Sequence, residues 1–211
     1  MLKRMPELSR RERIRAETLR EIREIGARQV DEGGLAALSL NAIAKEMGMS
    51  GPALYRYYAS RDELLAALIV DGYGELTRAV ERAPRELGAV ARAYRAWALE
   101  HPRRYGLLFG ERPEGFRDPA EAIAAIQGAM NVVVGILASR DAPPAPGALA
   151  PALSHWASRR EGLEGVPAGV LRQSVLFWTR VHGIVSLELA GVLADMGLDA
   201  GALIADEVGS F

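Results

Sequence analysis

The sequence predicts an all-α protein, and three observations carry that expectation. Sustained apolar–polar alternation is missing from the chain, and its Asp71-Gly72 pair lies inside a helical run rather than between alternating strands, so no hairpin is signalled. Apolar residues recur at helical spacing along most of its length. Helix-start signals, two of them capping boxes, alternate with Pro and Gly stops.

Ser9-Arg10-Arg11-Glu12 is the first capping box. Ile14, Thr18, Ile22, Ile25 and Val30 follow at helical spacing, and Gly33-Gly34 stops the helix. Short helices are expected from about Ser39 to Met47 and from about Ser50 to Tyr58. Ser60-Arg61-Asp62-Glu63 is the second capping box and opens a long helix through Leu64, Leu65, Leu68, Ile69 and Leu76, ending near Pro84. Residues 86–100 form another helix, closed by His101-Pro102. Tyr105 to Phe109 reads as a short turn, followed by a loop with Pro113 and Gly115. Asp118-Pro119-Ala120-Glu121 reads as an N-cap, a first-position proline and a first-turn carboxylate. The helix it opens includes Ala122 to Ala138, which is short and polar for a bilayer span and fits a buried helix better. Pro143, Pro144, Pro146 and Pro151 mark an extended or mobile connection. A long helix then runs from Val166-Pro167 to about Asp195, and a last one covers roughly Leu198 to Val208.

Zero Cys excludes a disulfide framework, thiolate metal sites and a Cys nucleophile. The net charge of −1 speaks superficially against nucleic acid, but charge acts locally. Residues 1–62 carry 12 basic and 9 acidic residues, and residues 63–211 carry 14 and 18. A basic module at 1–62 followed by an acidic one at 63–211 is the expected organisation. No apolar run follows the early Lys and Arg, so no signal peptide is expected and the protein is read as soluble and cytoplasmic.

The stretch from Ser39 to Tyr58 is the most informative. Ala44 is small where a second helix would cross, and Gly48 can end the first helix with positive φ. Ile43, Met47, Met49 and Leu54 supply apolar contacts, Ser50 is placed to cap the second helix, and Pro52 is tolerated in its first turn. This is a helix-turn-helix pattern, whose second helix enters the DNA major groove. The alternative is a helical hairpin in a core. Tyr55, Arg56, Tyr57 and Tyr58 argue against it, being too many polar-tipped groups for one short buried helix.

Residues 10–70 resemble the DNA-binding domain of the TetR family of bacterial transcriptional regulators. Leu38-Ser39, Ile43-Ala44, Gly48-Met49-Ser50, Ala53 to Tyr58 and Ser60 to Leu65 carry the likeness. The resemblance implies a three-helix DNA-binding head, a helical ligand-binding and dimerisation domain, and repression relieved by a small molecule. Carried over by position, Ser39 and Arg61 match phosphate contacts, and Tyr55 and Tyr57 match aromatics that lean on the DNA backbone. Base reading falls to Ser50, Pro52, Ala53 and Arg56, and Asn41 completes the expected DNA-binding set. Arg can take guanine bidentately, and Pro or Ala can touch a thymine methyl. Gly51 departs from relatives that often carry a base-reading side chain there. Lys3, Arg4, Arg10 and Arg11 are read either as further DNA contacts or as a solvated tail.

Phe177-Trp178 through His182-Gly183 to Leu189 resembles a TetR subgroup named for its Trp, His and Gly, and Ala96-Trp97 to Tyr105 is similar to that subgroup's middle helix. Tyr94, Trp97, Tyr105, Phe109, Met130, Trp178 and His182 are the candidate ligand-binding residues, each also readable as core. Gly183, Ser186, Ala190, Gly191 and Ala194 would let another helix approach closely, which suits a homodimer on a palindromic double-stranded DNA operator. Neither a metal nor a cofactor is expected: His101, His155 and His182 lack zinc-ligand spacing, and no phosphate-binding or nucleophile-elbow motif occurs. The chain is therefore read as a regulator and not an enzyme, with a small apolar or aromatic effector and no membrane partner. An activator of the same family, or a carrier or enzyme on a helical bundle, are the rival readings.

Overall fold

A computed structural model describes residues 9–140 and 142–211. All regular elements among these residues are helical: α1 (Arg10–Gly33), a 3₁₀ turn (Leu35–Ala37), α2 (Leu40–Glu46), α3 (Gly51–Leu54), α4 (Arg61–Glu81), α5 (Leu87–Glu100), α6 (Pro102–Phe109), α7 (Ala120–Leu137), α8 (Leu149–Ala157), α9 (Ala168–Leu189), α10 (Val192–Asp195) and α11 (Ala200–Gly209). They fall into two compact units. Of the described residues, the first comprises those up to Ile69 together with Arg103–Asp118, and the second comprises Val70–Pro102 with those from Pro119 to Phe211.

In the first unit, both bonds of the Ser9–Glu12 capping box form. The Glu12 amide donates to Ser9 Oγ at 3.2 Å, and the Ser9 amide donates to the Glu12 carboxylate at 2.7 Å. These bonds favour the ionised carboxylate and hold Glu12 below its ordinary pKa. The first turns of α1 are exposed, Ile14 included, so its core face begins only at Ile22 and continues through Ile25 and Val30. Leu38, Leu40, Ile43, Ala44, Leu54, Tyr58, Leu64, Leu65, Leu68 and Ile69 complete the buried set. The second capping box is modified. The Glu63 amide donates to Ser60 Oγ at 3.1 Å, but the Glu63 carboxylate accepts from the amide of Ala59, one residue earlier than the box pattern.

In the second unit α9 is the central helix and packs against α5, α7, α8, α10 and α11. Thr77 ties α4 to α7 by donating to the Ala125 carbonyl at 2.6 Å. Arg95 on α5 holds Glu188 on α9 through a two-pronged ion pair at 2.7 and 2.5 Å, which also raises the Arg95 pKa.

Several sequence expectations are corrected. The expected turn at Tyr105–Phe109 belongs to a helix, because Pro102 starts α6 at a position where a missing amide costs nothing. Asp118 does not cap α7: Pro119 occupies the N-cap position, and the Asp118 carboxylate pairs with the Arg112 guanidinium at 2.8 and 3.2 Å. The proline-marked connection contains α8, with Pro151 in its first turn where amides lack intrahelical partners. The helix expected to run to Asp195 breaks at Gly191, whose φ of 78° is left-handed and separates α9 from α10. The helix expected from Ser50 to Tyr58 is only one turn long, and its chain then tightens as the Tyr57 and Tyr58 amides both bond the Leu54 carbonyl. By length and composition α7 could cross a bilayer, yet only a third of it is buried. Its N-terminal half lines a cavity, and Val133, Val134, Ile136 and Leu137 bury its C-terminal half.

Candidate functional site

The first unit presents a helix-turn-helix. The Ser39 hydroxyl accepts from the Ala42 amide at 3.3 Å and starts α2, while the Ser39 amide donates to Gln29 of α1 at 2.9 Å. Gly48 takes φ 64°, which lets the Met49 amide bond the Ala44 carbonyl at 2.8 Å and turns the chain sharply into α3. Ile43, Ala44 and Leu54 are buried between the motif helices and their neighbours. Arg28 of α1 pairs with Glu46 at the end of α2.

The expected DNA-binding residues divide by placement. Asn41, Ser50, Pro52, Tyr55 and Arg56 are exposed, and Ser39, Ala53 and Tyr57 are half-buried. Ser50 stands at the N-cap of α3 but its side chain makes no cap hydrogen bond, which leaves the hydroxyl to solvent. Tyr58 is buried, with its hydroxyl accepting from Arg23 at 3.3 Å. Arg10, Arg11, Arg15 and Arg56 gather around Ile14 and Tyr57 in one depression, and the Arg15 guanidinium carbon lies 5.1 Å from the Tyr57 ring centre. Four cations on one face supply the local positive field that the whole-chain charge conceals. Lys3 and Arg4 lie outside the described residues.

Arg61 is turned inward. Its Nε donates to the Leu38 carbonyl at 3.0 Å, and one terminal nitrogen donates to the Leu35 carbonyl. The guanidinium thus satisfies one carbonyl of the 3₁₀ turn at Leu35–Ala37 and that of Leu38 just after it. Only its remaining N–H groups could meet a phosphate.

The second unit encloses an apolar cavity of about 190 Å³. Tyr94, Met130 and Trp178 of the expected ligand set line it, joined by Val80, Ile126, Val133, Phe177 and Val181. His182 does not line it but backs two residues that do. Its Nδ1 lies 2.9 Å from the Tyr94 hydroxyl, and its ring stacks on Trp178 at 5.2 Å between centres. Trp97 is buried elsewhere, against His101 at 5.5 Å. Tyr105 and Phe109 belong to the first unit, where their rings meet at 4.9 Å. Trp156 and Arg160 also line the cavity. Sequence reasoning missed both, because they follow the prolines that marked their segment as a connection. The Trp156-x-x-x-Arg160 spacing, which stacks a cation over a ring, was the available signal.

Burial lowers the His182 pKa below the ordinary imidazole value. The unfolded chain therefore binds a proton that the folded chain refuses. The stabilisation is fully present above about pH 6.5 and is lost as pH falls from there through the depressed folded value. His182→Gln should remove this component, giving a shallower loss of melting temperature on acidification. Equal slopes for the two proteins would show that His182 does not titrate in this way.

Comparison with known proteins bears on both units. Residues 22–68 match the model for bacterial regulatory proteins of the tetR family, and residues 87–211 match the tetracyclin repressor-like C-terminal domain. The HTH-type transcriptional regulators Rv1816 of Mycobacterium tuberculosis and Mb1846 of Mycobacterium bovis are each 37% identical over 92% of this chain and 88% of their own. The solved regulatory protein SCO4313 is 38% identical, covers 98% of both chains and superposes with a TM-score of 0.79.

Proposed function

This chain belongs to the tetR family of bacterial regulatory proteins and is a DNA-binding transcriptional regulator, and on that footing we propose that it is a homodimeric repressor released from a palindromic operator by a small ligand. The observation that carries the reading is that one chain holds both an exposed basic and aromatic helix-turn-helix face and an apolar cavity. Residues 1–62 act as the DNA-binding domain and 63–211 as the effector and dimerisation domain. Ser39, Asn41, Tyr55 and Tyr57 contact the DNA backbone, while Ser50, Pro52, Ala53 and Arg56 read base edges. Arg61 contributes chiefly by holding the turn that leads into Ser39.

The ligand is apolar or aromatic in its main body, and Tyr94, Met130 and Trp178 are its principal contacts. Its effect on DNA is a coupling free energy, so operator binding must weaken ligand binding by the same factor. The dimer face lies at the end of α9 and on α10. Leu187, Val192 and Met196 are exposed there beside small residues, and Gly183 has open space where a Cβ would stand. Two heads are needed because one short recognition helix reads few base pairs. The protein acts in the cytoplasm, without a cofactor.

Selection of bound duplexes from a random pool, followed by footprinting, tests the proposal. A palindrome should emerge with half-sites about 34–36 Å apart or a multiple of this. Its affinity should fall steeply with salt, as phosphate neutralisation requires. Binding without any sequence enrichment would refute it.

A further inference from the structure

Resting on the proposed effector role of the cavity, we infer that the effector is an amphipathic anion whose head pairs with Arg160. The cavity measures about 190 Å³. An apolar cavity of about 150 Å³ takes up benzene, so the body that fits here has roughly eight heavy atoms, as a substituted ring or a medium-length chain.

Two polar side chains at the cavity already have partners. The Tyr94 hydroxyl meets His182 Nδ1 at 2.9 Å, and the Gln127 side-chain nitrogen donates to Asn131 Oδ1 at 2.8 Å. Arg160 is half-buried and has no carboxylate within ion-pair distance among the described residues. Its guanidinium carbon lies 6.0 Å from the centre of the Trp156 ring, which also lines the cavity. A cation over an indole face keeps its N–H edge available for a two-pronged contact.

Arg160 also stands where the cavity opens. Ile123, Gln127 and Arg160 line both the cavity and an adjoining outer groove. That groove is lined by Arg159, Arg160 and Glu161, and the Glu164 carboxylate is held on the Gly162 amide, so Arg160 is the cation shared by the cavity and its opening. A cationic head would meet like charge there, and a neutral head would forgo the charge-assisted bonds. A carboxylate and a phosphate monoester share the required chemistry, and they can be separated by experiment.

Octanoate, octyl phosphate, octanol and octylamine, titrated into the full-length protein by calorimetry and thermal shift, test the inference. Octanoate, octyl phosphate or both should bind at least about tenfold more tightly than octanol, with octylamine weakest. Arg160→Gln should erase the anions' advantage over octanol, Arg160→Lys should keep part of it, and Arg159→Gln should keep it all. Whichever anion binds more tightly identifies the head. Octanol binding as tightly as the anions, or an advantage that survives Arg160→Gln or falls with Arg159→Gln, would overturn the inference and leave the cavity as an effector site. Failure of all four probes to bind would remove the effector site itself, and the inference with it.

Discussion

Alanine at both Tyr55 and Arg56 abolishes high-affinity operator binding while leaving the fold intact. Both side chains are exposed, Tyr55 at 45%, and neither supports the core of the head. Surface replacements of this kind change stability by about 0.5 kcal/mol or less. A bidentate Arg–guanine contact is worth about 1–3 kcal/mol, and a palindrome engages two heads, so the loss reaches about 2–6 kcal/mol before Tyr55 is counted. Affinity should therefore fall by about thirtyfold at least, read by fluorescence anisotropy on the selected palindrome, with an unchanged circular-dichroism melt as the control. The single Arg56→Ala variant separates two roles. A base-reading Arg56 leaves the salt slope unchanged and relaxes specificity at one position in each half-site, whereas a phosphate-binding one lowers the slope by about two, one for each head. Full operator affinity in the double variant would sink the residue assignment.

The second large effect lies beneath that surface. Leu54 is fully buried and is the last residue of α3, a helix of one turn that can draw little stability from its own backbone. Leu54→Ala should cost about 2–5 kcal/mol, from lost transfer free energy and the cavity left behind. A denaturant melt followed by circular dichroism reads the loss. DNA binding should fall with it, because Tyr55, Arg56 and Tyr57 follow directly from this turn. A cost below about 1 kcal/mol would mean that other contacts seat α3.

The head was legible because its signals are local. Ser9 and Glu12, Ser39 and Gly48 each specify a cap or a turn within a few residues, and the structure forms those caps and that turn, whereas Ser50 stands at its N-cap position without a cap bond. Proline misled where its position relative to a helix start decided its meaning. Pro102 and Pro151 were read as breaks, but both lie within a first turn, where a proline is neutral or helpful. Competition between partners misled at Asp118, which looks like an N-cap in sequence until Arg112 claims it. Arg61 was similarly ambiguous, because carbonyls 23 and 26 positions away decide where a guanidinium points. The cavity was the least legible feature. Side-chain size selected Trp97, Tyr105 and Phe109 along with Tyr94 and Trp178, and only tertiary packing distinguishes a ring in a core from a ring on a wall. Arg160 is marked locally only by its four-residue spacing from Trp156, and nothing local reveals that α8 packs on α9.

The bond between Tyr94 and His182 has a consequence for selectivity. A wall hydroxyl tied to one partner is held in one direction, so the inner part of the cavity, whose lining is otherwise mostly apolar, judges chiefly bulk and shape. Such a wall tells apart molecules differing by one methylene by about 1–3 kcal/mol, far less than a site that demands a particular hydroxyl or amide. The inner cavity is therefore suited to sensing a chemical class, such as a family of chain lengths or ring substitutions, rather than a single metabolite.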